Sequence, residues 1–360
     1  MKSLVQGVHH ITLCPGGAQQ DIDFFTQVLG QRLVKQTVLM DGSIPIYHLY
    51  YGNADADVGS IATSFPYSRK PGRAGSGQLS CTSYTVPTGA IAFWKEHFDR
   101  HEAEHSGVQE RFGTKYLRVR HPAGLLFEMI EESSDNRHAW TTKQISRDVG
   151  THGFFGAVLS VRDVRDQESF FVDALGFRKV GVDGPYHRFE VAGNGPGRVV
   201  DLHVEPERAP GSWGFGAGTA HHIAFNVETD DALAKQKAVY EELGFTDASE
   251  IKDRFYFHSM YVRSPGGILV ECTANVPGGF YQDEAPEDLG TKLHLPPWYE
   301  NQREAIVSQL EPIKVPEENR PRPGTTSVPK PAAAHHAPGD DPKVPLSRYK
   351  ATFDAGKQST

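Results

Sequence analysis

Cysteine is scarce in this chain of 360 residues: Cys14, Cys81 and Cys272 are too few and too far apart for a disulfide framework. A reducing compartment is the expected setting. Long apolar runs are missing as well, and none approaches the roughly 20 residues that cross a bilayer. The opening MKSLVQGVHHITL has no apolar stretch of the secretory kind. Positive charge is not in excess either. A formal net charge of -8 speaks against nucleic acid or an anionic membrane as main partner. What is present is ordinary for a globular protein, 38% hydrophobic and 23% charged, with length for two modest domains. The expectation is a cytoplasmic protein acting on small molecules, with homo-oligomer formation left open.

The chain repeats itself. FFTQVLGQRLV (24–34) returns as FFVDALGFRKV (170–180), with Gly30 matching Gly176 as a stop for an amphipathic helix. ERFGTKYLRVRHPAGLLFEM (110–129) returns as DRFYFHSMYVRSPGGILVEC (253–272), matching Arg111 to Arg254 and Glu128 to Glu271. Both matches share an offset of about 145 residues, so the chain reads as a duplication.

Each half divides again. Opening strands are expected near 8–13, 79–86, 155–161 and 221–227, followed by helices near 19–29, 89–98, 164–175 and 230–243. Returning strands are expected near 46–51 and 60–63, 116–119 and 125–130, 186–191 and 199–204, and 256–262 and 268–272. The fold class is α+β: four βαβββ modules in two tandem domains, 1–140 and 150–280, each a curved mixed sheet flanked by helices. LPPWYENQREAIVSQL suggests a helical extension over 281–312, and 313–360 reads as a Pro-rich extended or disordered arm. His335 and His336 fall in that arm and read as solvated linker.

Two opening strands hold a His pair, VHHITL and AHHIAFNV. Adjacent strand residues face opposite sides. His9 and His221 share a face with Ile11, Leu13, Ile223 and Phe225; His10 and His222 share one with Thr12, Ala224 and Asn226. The second histidine of each pair is therefore the ligand candidate, and His9 and His221 are core-edge or supporting residues. Glu271 closes an apolar strand, where a carboxylate is costly to bury without a partner. Its twin Glu128 is better read as pointing to water, because Cys81 and Gly156 stand where the ligand histidines would be. The position matching Glu271 in the first module falls near Thr63. Two histidines and one carboxylate form a facial triad, suited to Fe(II) or Mn(II), with positions left open. A closed zinc site would need a fourth ligand.

Taken together, GVHHITL, YHLYYG, AHHIAFNV, DRFYFHSMYVRSPGGILVE and LGTKLHLPPW resemble the vicinal oxygen chelate superfamily, which includes glyoxalases, bleomycin-resistance proteins and extradiol dioxygenases. Within it they look most like the hydroquinone ring-cleaving dioxygenases, over residues 5–312. The resemblance implies a metal held by His10, His222 and Glu271. It also implies Arg254 and Tyr261 as pocket residues near the substrate, with Thr12 and His221 beside the metal. His48 and His258 are further pocket candidates, and Arg254, by its twin Arg111, also fits a surface ion pair. The loops 65–77 and 205–219, the latter with Trp213 and Phe215, are expected to shape the pocket. The implied chemistry is cleavage of a hydroquinone- or catechol-type ring with O2. Two rivals stand beside it: a glyoxalase-like lyase or isomerase, and a non-catalytic binding or resistance protein.

Overall fold

In a computed structural model of the chain, residues 4–39, 45–67, 70–193 and 195–319 are described. Four modules follow one another. The first comprises β1 (Val5–Cys14), α1 (Ala18–Asp23), β2 (Arg32–Val38), β3 (Tyr47–Gly52) and β4 (Ile61–Ser64). The second comprises β5 (Gln78–Val86), α2 (Ile91–Arg100), β6 (Gln109–Arg111), β7 (Thr114–Arg120) and β8 (Leu126–Glu131). The third comprises β9 (Phe154–Val161), α3 (Arg165–Ser169), β10 (Arg178–Asp183), β11 (Tyr186–Glu190) and β12 (Val199–Val204). The fourth comprises β13 (Thr219–Val227), α4 (Asp230–Glu242), β14 (Lys252–Asp253), β15 (Phe257–Arg263) and β16 (Leu269–Asn275). Both Phe-Phe repeats extend their helix by a wider π-helical turn, and both turns end at a glycine with positive φ, Gly30 at 64° and Gly176 at 72°. Only glycine takes that conformation cheaply, which is why the repeat keeps it.

The strands absent from the sequence reading are β2, β6, β10 and β14, one per module, and all four are sheet edges. Their signal is weak for physical reasons. β6 and β14 span three and two residues, while β2 and β10 carry register shifts that break a period of two.

The strands form two eight-stranded sheets, ordered β14-β15-β16-β13-β1-β4-β3-β2 and β10-β11-β12-β9-β5-β8-β7-β6. Each sheet thus takes one module from each half of the chain. The expected α+β class with two mixed sheets and flanking helices holds, with modules one and four building the first sheet and modules two and three the second. The helix cores do follow the chain order. Phe25 stacks on Tyr51 of β3 and meets Phe127 of β8, joining modules one and two. Phe171 meets Phe189 of β11 and Phe225 of β13, joining three and four. Strand pairing and helix packing therefore tie the modules together in two different ways. In α4, Thr229 Oγ1 accepts from the Ala232 amide at the N-terminus, and Tyr240 is buried against Phe170.

The segment after β16 folds back over the β2 edge. Lys35, fully buried, pairs with Asp283 (2.7 Å) and Glu284. Asn319 bonds to both the amide and the carbonyl of Leu33. The expected helical extension is a 3-10 stretch (Pro297–Gln302) and a short α5 (Arg303–Val307). The arm is anchored at least as far as Asn319; His335 and His336 lie outside the described residues. No helix among the described residues is long and apolar enough to cross a membrane.

Candidate metal centre

The middle of the first sheet is the antiparallel pair β1–β13, and its register shifts three times, two of them beside the histidine pairs. Val8 faces Phe225 and His10 faces Ala224, so His9 is an inserted residue; Thr12 faces His222 and Leu13 faces Ala220, so His221 is another. A bulge suspends the alternation of faces. His9 and His221 are accordingly turned against their neighbours, and the expectation that they share the helix-side face is corrected. His9 Nδ1 lies 2.9 Å from His10 Nδ1, and His221 Nδ1 lies 2.8 Å from His222 Nδ1.

His10 and His222 present Nε2 to a common point, together with Glu271 from β16. The Nε2 atoms are 3.3 Å apart, and Glu271 Oε2 is 3.3 Å from His10 and 2.7 Å from His222. All three residues are buried. Burial alone would raise the Glu271 carboxyl, but His10 and His222 more than reverse this and hold it well below the usual range. Burial pushes His222 down, the direction that favours the neutral imidazole a ligand must be. Close as these atoms are, Glu271 Oε2 has no hydrogen bond of acceptable geometry. The three ligand atoms all lie within 4.8 Å of one another, an arrangement a cation would complete. The donor set fits a divalent ion of the iron or manganese type.

Surrounding groups fix the ligands. With Nε2 of His10 serving as donor atom, Nδ1 carries the hydrogen and bonds to His9, whose Nε2 in turn bonds Asn275 Oδ1 at 2.8 Å. His222 leans on His221 in the same way. Thr12 Oγ1 is 2.7 Å from His222 Nε2 and 2.8 Å from Thr63 Oγ1, and Thr273 donates to Glu271 Oε1 at 2.8 Å. Such partners orient a ligand and set its basicity. Thr63 faces Thr12 just as Glu271 faces Ala224, so it occupies the fourth, uncharged corner.

The other expected residues divide. Tyr261 lies cross-strand from Glu271 with its ring edge-on to His222 at 5.5 Å, and Arg254 lies over the Tyr261 ring at 5.5 Å. His48 stacks on Phe65, Phe65 meets Phe215, and Phe215 stacks on His221 at 4.4 Å. His258 is not brought in: it pairs with Asp230 at the start of α4, 2.8 Å away. Its strand position alternates with that of Tyr261, a parity that could have excluded it. Trp213 is 58% exposed, with Arg263 over its ring, and Phe215 of the same loop reaches the site in its place. Sequence reasoning missed Phe257, whose ring is 5.1 Å from His10, and Asn275. Asn275 lies two pairs beyond Thr273 on the face of Glu271, so the strand period would have found it.

The second sheet repeats the bulges at Ser80 and Phe155, and Cys81 and Gly156 fall where His222 and His10 stand. Glu128 does not point to water. It is fully buried, gripped by Arg111 (2.8 and 3.1 Å) and Arg118 (2.6 Å), with Ser83 at 2.8 Å. Arg111, likewise buried and no surface ion-pair residue, reaches Asp201 as well, and Arg188 clamps Asp201 from the other side.

Comparison with known proteins agrees with this architecture. The model of the glyoxalase/bleomycin resistance protein/dioxygenase superfamily matches residues 153–272. A chlorohydroquinone/hydroquinone 1,2-dioxygenase of Sphingobium indicum is 39% identical over 316 residues, covering 86% of this chain and 98% of that protein. MhqO of Bacillus subtilis, named as a candidate ring-cleaving dioxygenase, is 37% identical over 88% of this chain and 99% of its own length. The crystal structure of a candidate dioxygenase from Bacillus subtilis superposes with a TM-score of 0.82 at 37% identity, covering 88% of this chain and all of that one. Glyoxalase I of Zea mays shares the fold at a TM-score of 0.54 and 14% identity. The chain belongs to the glyoxalase/bleomycin resistance/dioxygenase superfamily. Relatives at 35–39% identity carry the names of a chlorohydroquinone/hydroquinone 1,2-dioxygenase and of candidate ring-cleaving dioxygenases.

Proposed function

We propose that the protein is a non-haem dioxygenase of the extradiol type, with Fe(II) at its centre and Mn(II) as the alternative ion. Its substrates are O2 and a small aromatic of the hydroquinone or catechol class. The observation that carries this reading is the convergence of His10, His222 and Glu271 with uncharged Thr63 at the fourth corner. Three protein ligands leave positions open for a substrate and O2. The names of the relatives support the same reaction class.

A bound ion would supply Lewis acidity toward a phenol oxygen and an electron route between ring and O2. The protein supplies the rest. His9 with Asn275, and His221, hold the ligand imidazoles in one tautomer. Tyr261 donates its phenolic hydrogen to a substrate oxygen, and Arg254 contributes positive charge on the same side. Phe65 and Phe215 keep water from the ring. Both atoms of O2 enter the opened product, an unsaturated acid.

The test is oxygen uptake by protein purified anaerobically and reconstituted with Fe(II) or Mn(II), offered hydroquinones and catechols. Uptake coupled to loss of the aromatic absorbance is expected. Absence of uptake with every substrate would overturn the reading. Turnover under strict anaerobiosis would favour an isomerase on the same scaffold.

A further inference from the structure

A second polar patch lies on the first sheet, two strands from the triad. His48 on β3 faces Thr37 on β2, and both carry a buried polar atom without a hydrogen-bond partner, Nε2 of His48 and Oγ1 of Thr37. Buried orphans are rare in folded proteins, and two facing each other call for an explanation.

The hydrogens on this pair are set by Tyr50. Its hydroxyl lies 2.9 Å from His48 Nδ1 and is fully buried. Burial, with the charge of Glu271 nearby, pushes the phenol well above its ordinary value, so it keeps its hydrogen. In the site proposed below that hydrogen is given to Nδ1. Burial pushes His48 well below its ordinary value, the direction that favours the neutral imidazole. A neutral imidazole accepting at Nδ1 carries its own hydrogen on Nε2. The patch therefore offers one donor, His48 Nε2, and one hydroxyl, Thr37 Oγ1, that can accept.

An aromatic wall connects this patch to the metal centre. The His48 ring stacks on Phe65 at 4.1 Å, Phe65 meets Phe215 at 5.2 Å, and Phe215 stacks on His221, the support of His222. Across the sheet, β4 separates β3 from β1, which sets the two strands about 10 Å apart.

We propose that His48 Nε2 and Thr37 Oγ1 recognise the second oxygen of a para-dihydroxybenzene whose first oxygen is held at the triad. A phenol hydroxyl accepts from His48 and donates to Thr37, satisfying both orphans at once. The two oxygens of a catechol sit on adjacent carbons, so one cannot reach this pair while the other is at the triad. The subsite thus selects hydroquinones over catechols. It rests on the ring-cleavage reading above and adds to it the substitution pattern of the substrate.

Anaerobic calorimetry on the Fe(II)-loaded protein tests this with hydroquinone, catechol and phenol as probes. The protein should bind hydroquinone about 10-fold more tightly than phenol, the worth of one well-made hydrogen bond. His48→Phe should bring the two within about 2-fold. Thr37→Val should lose part of the preference, and His48→Gln, which keeps a donor, should retain part. A hydroquinone preference that survives His48→Phe, or none in the unaltered protein, would overturn the subsite. Oxygen uptake is scored separately. Uptake without preference sinks the subsite alone; preference without uptake sinks ring cleavage and keeps the subsite as a binding site.

Discussion

The two sheets have the same strand order, the same central antiparallel pair and bulges at matching positions, yet they solve one problem in two ways. Each buries a carboxylate at the same corner, Glu271 in one and Glu128 in the other. In the first sheet two imidazoles face the carboxylate and leave a gap for a mobile cation. In the second the cation is part of the chain, as Arg111 and Arg118 close on Glu128 and Arg111 and Arg188 on Asp201. Asp201 occupies the corner that Thr63 holds in the first sheet. A buried carboxylate needs an opposite charge, and whether that charge is exchangeable separates a site from a strut. The second sheet is also closed to ligands sterically: a Cβ at Gly156 would lie 2.1 Å from the Val199 carbonyl oxygen.

The comparison breaks most visibly at the ligand positions. His222→Ala should lose bound metal and oxygen uptake, by about 1,000-fold or more in rate, as expected when the ion carrying the chemistry is gone. Cys81→Ala, its counterpart in the second sheet, should leave both unchanged, which metal analysis and an oxygen electrode will read. Next in size, Glu128→Ala strands buried guanidinium groups and should cost about 3–5 kcal/mol in urea unfolding without altering the metal content. Asn275→Ala removes the far end of the His10 support and should weaken metal affinity by about 10–100-fold, measured by competition with a chelator.

The smallest effect is in pH. Burial alone would raise the Glu128 carboxyl, but Arg111 and Arg118 bring it down to about 2. The unfolded chain takes up this proton first as acid is added. The stabilisation is therefore complete above the ordinary glutamate value and is lost as pH falls from about 4.5 to about 2. The stability of the unaltered protein should fall through that window by up to about 1.4 kcal/mol per pH unit more steeply than that of Glu128→Gln.

Much of this was legible in the sequence because duplication marks equivalent positions. The repeats located four modules, Gly30 and Gly176 marked two helix ends, and the absence of histidine at Cys81 and Gly156 told the two centres apart. The choice of His10 and His222 came from strand parity, although the bulges at His9 and His221 suspend parity at those very residues. It still leads to the side on which the three ligand atoms converge, because each bulge displaces the first histidine of a pair, not the second. What stayed hidden depends on three-dimensional closure. Edge strands carry little pattern of their own. The burial of Glu128 depends on Arg111 and Arg118 reaching it from neighbouring strands. Trp213 and Phe215 share a loop, and only its path decides which ring turns inward.

The pairing of β1 with β13 sets an order of events during synthesis. Cys14 finds its partner Thr219 some two hundred residues later in the chain. At roughly 5–20 residues per second, the first strand waits on the order of 10–40 s after it is made. Through that interval His10 has neither His222 nor Glu271 beside it. The arginine-clamped sheet, whose strands all lie between Gln78 and Val204, can close earlier, as a platform on which the first and last modules meet. An ion held by His10, His222 and Glu271 could be taken up only late, once the fourth module has been made and has found the first.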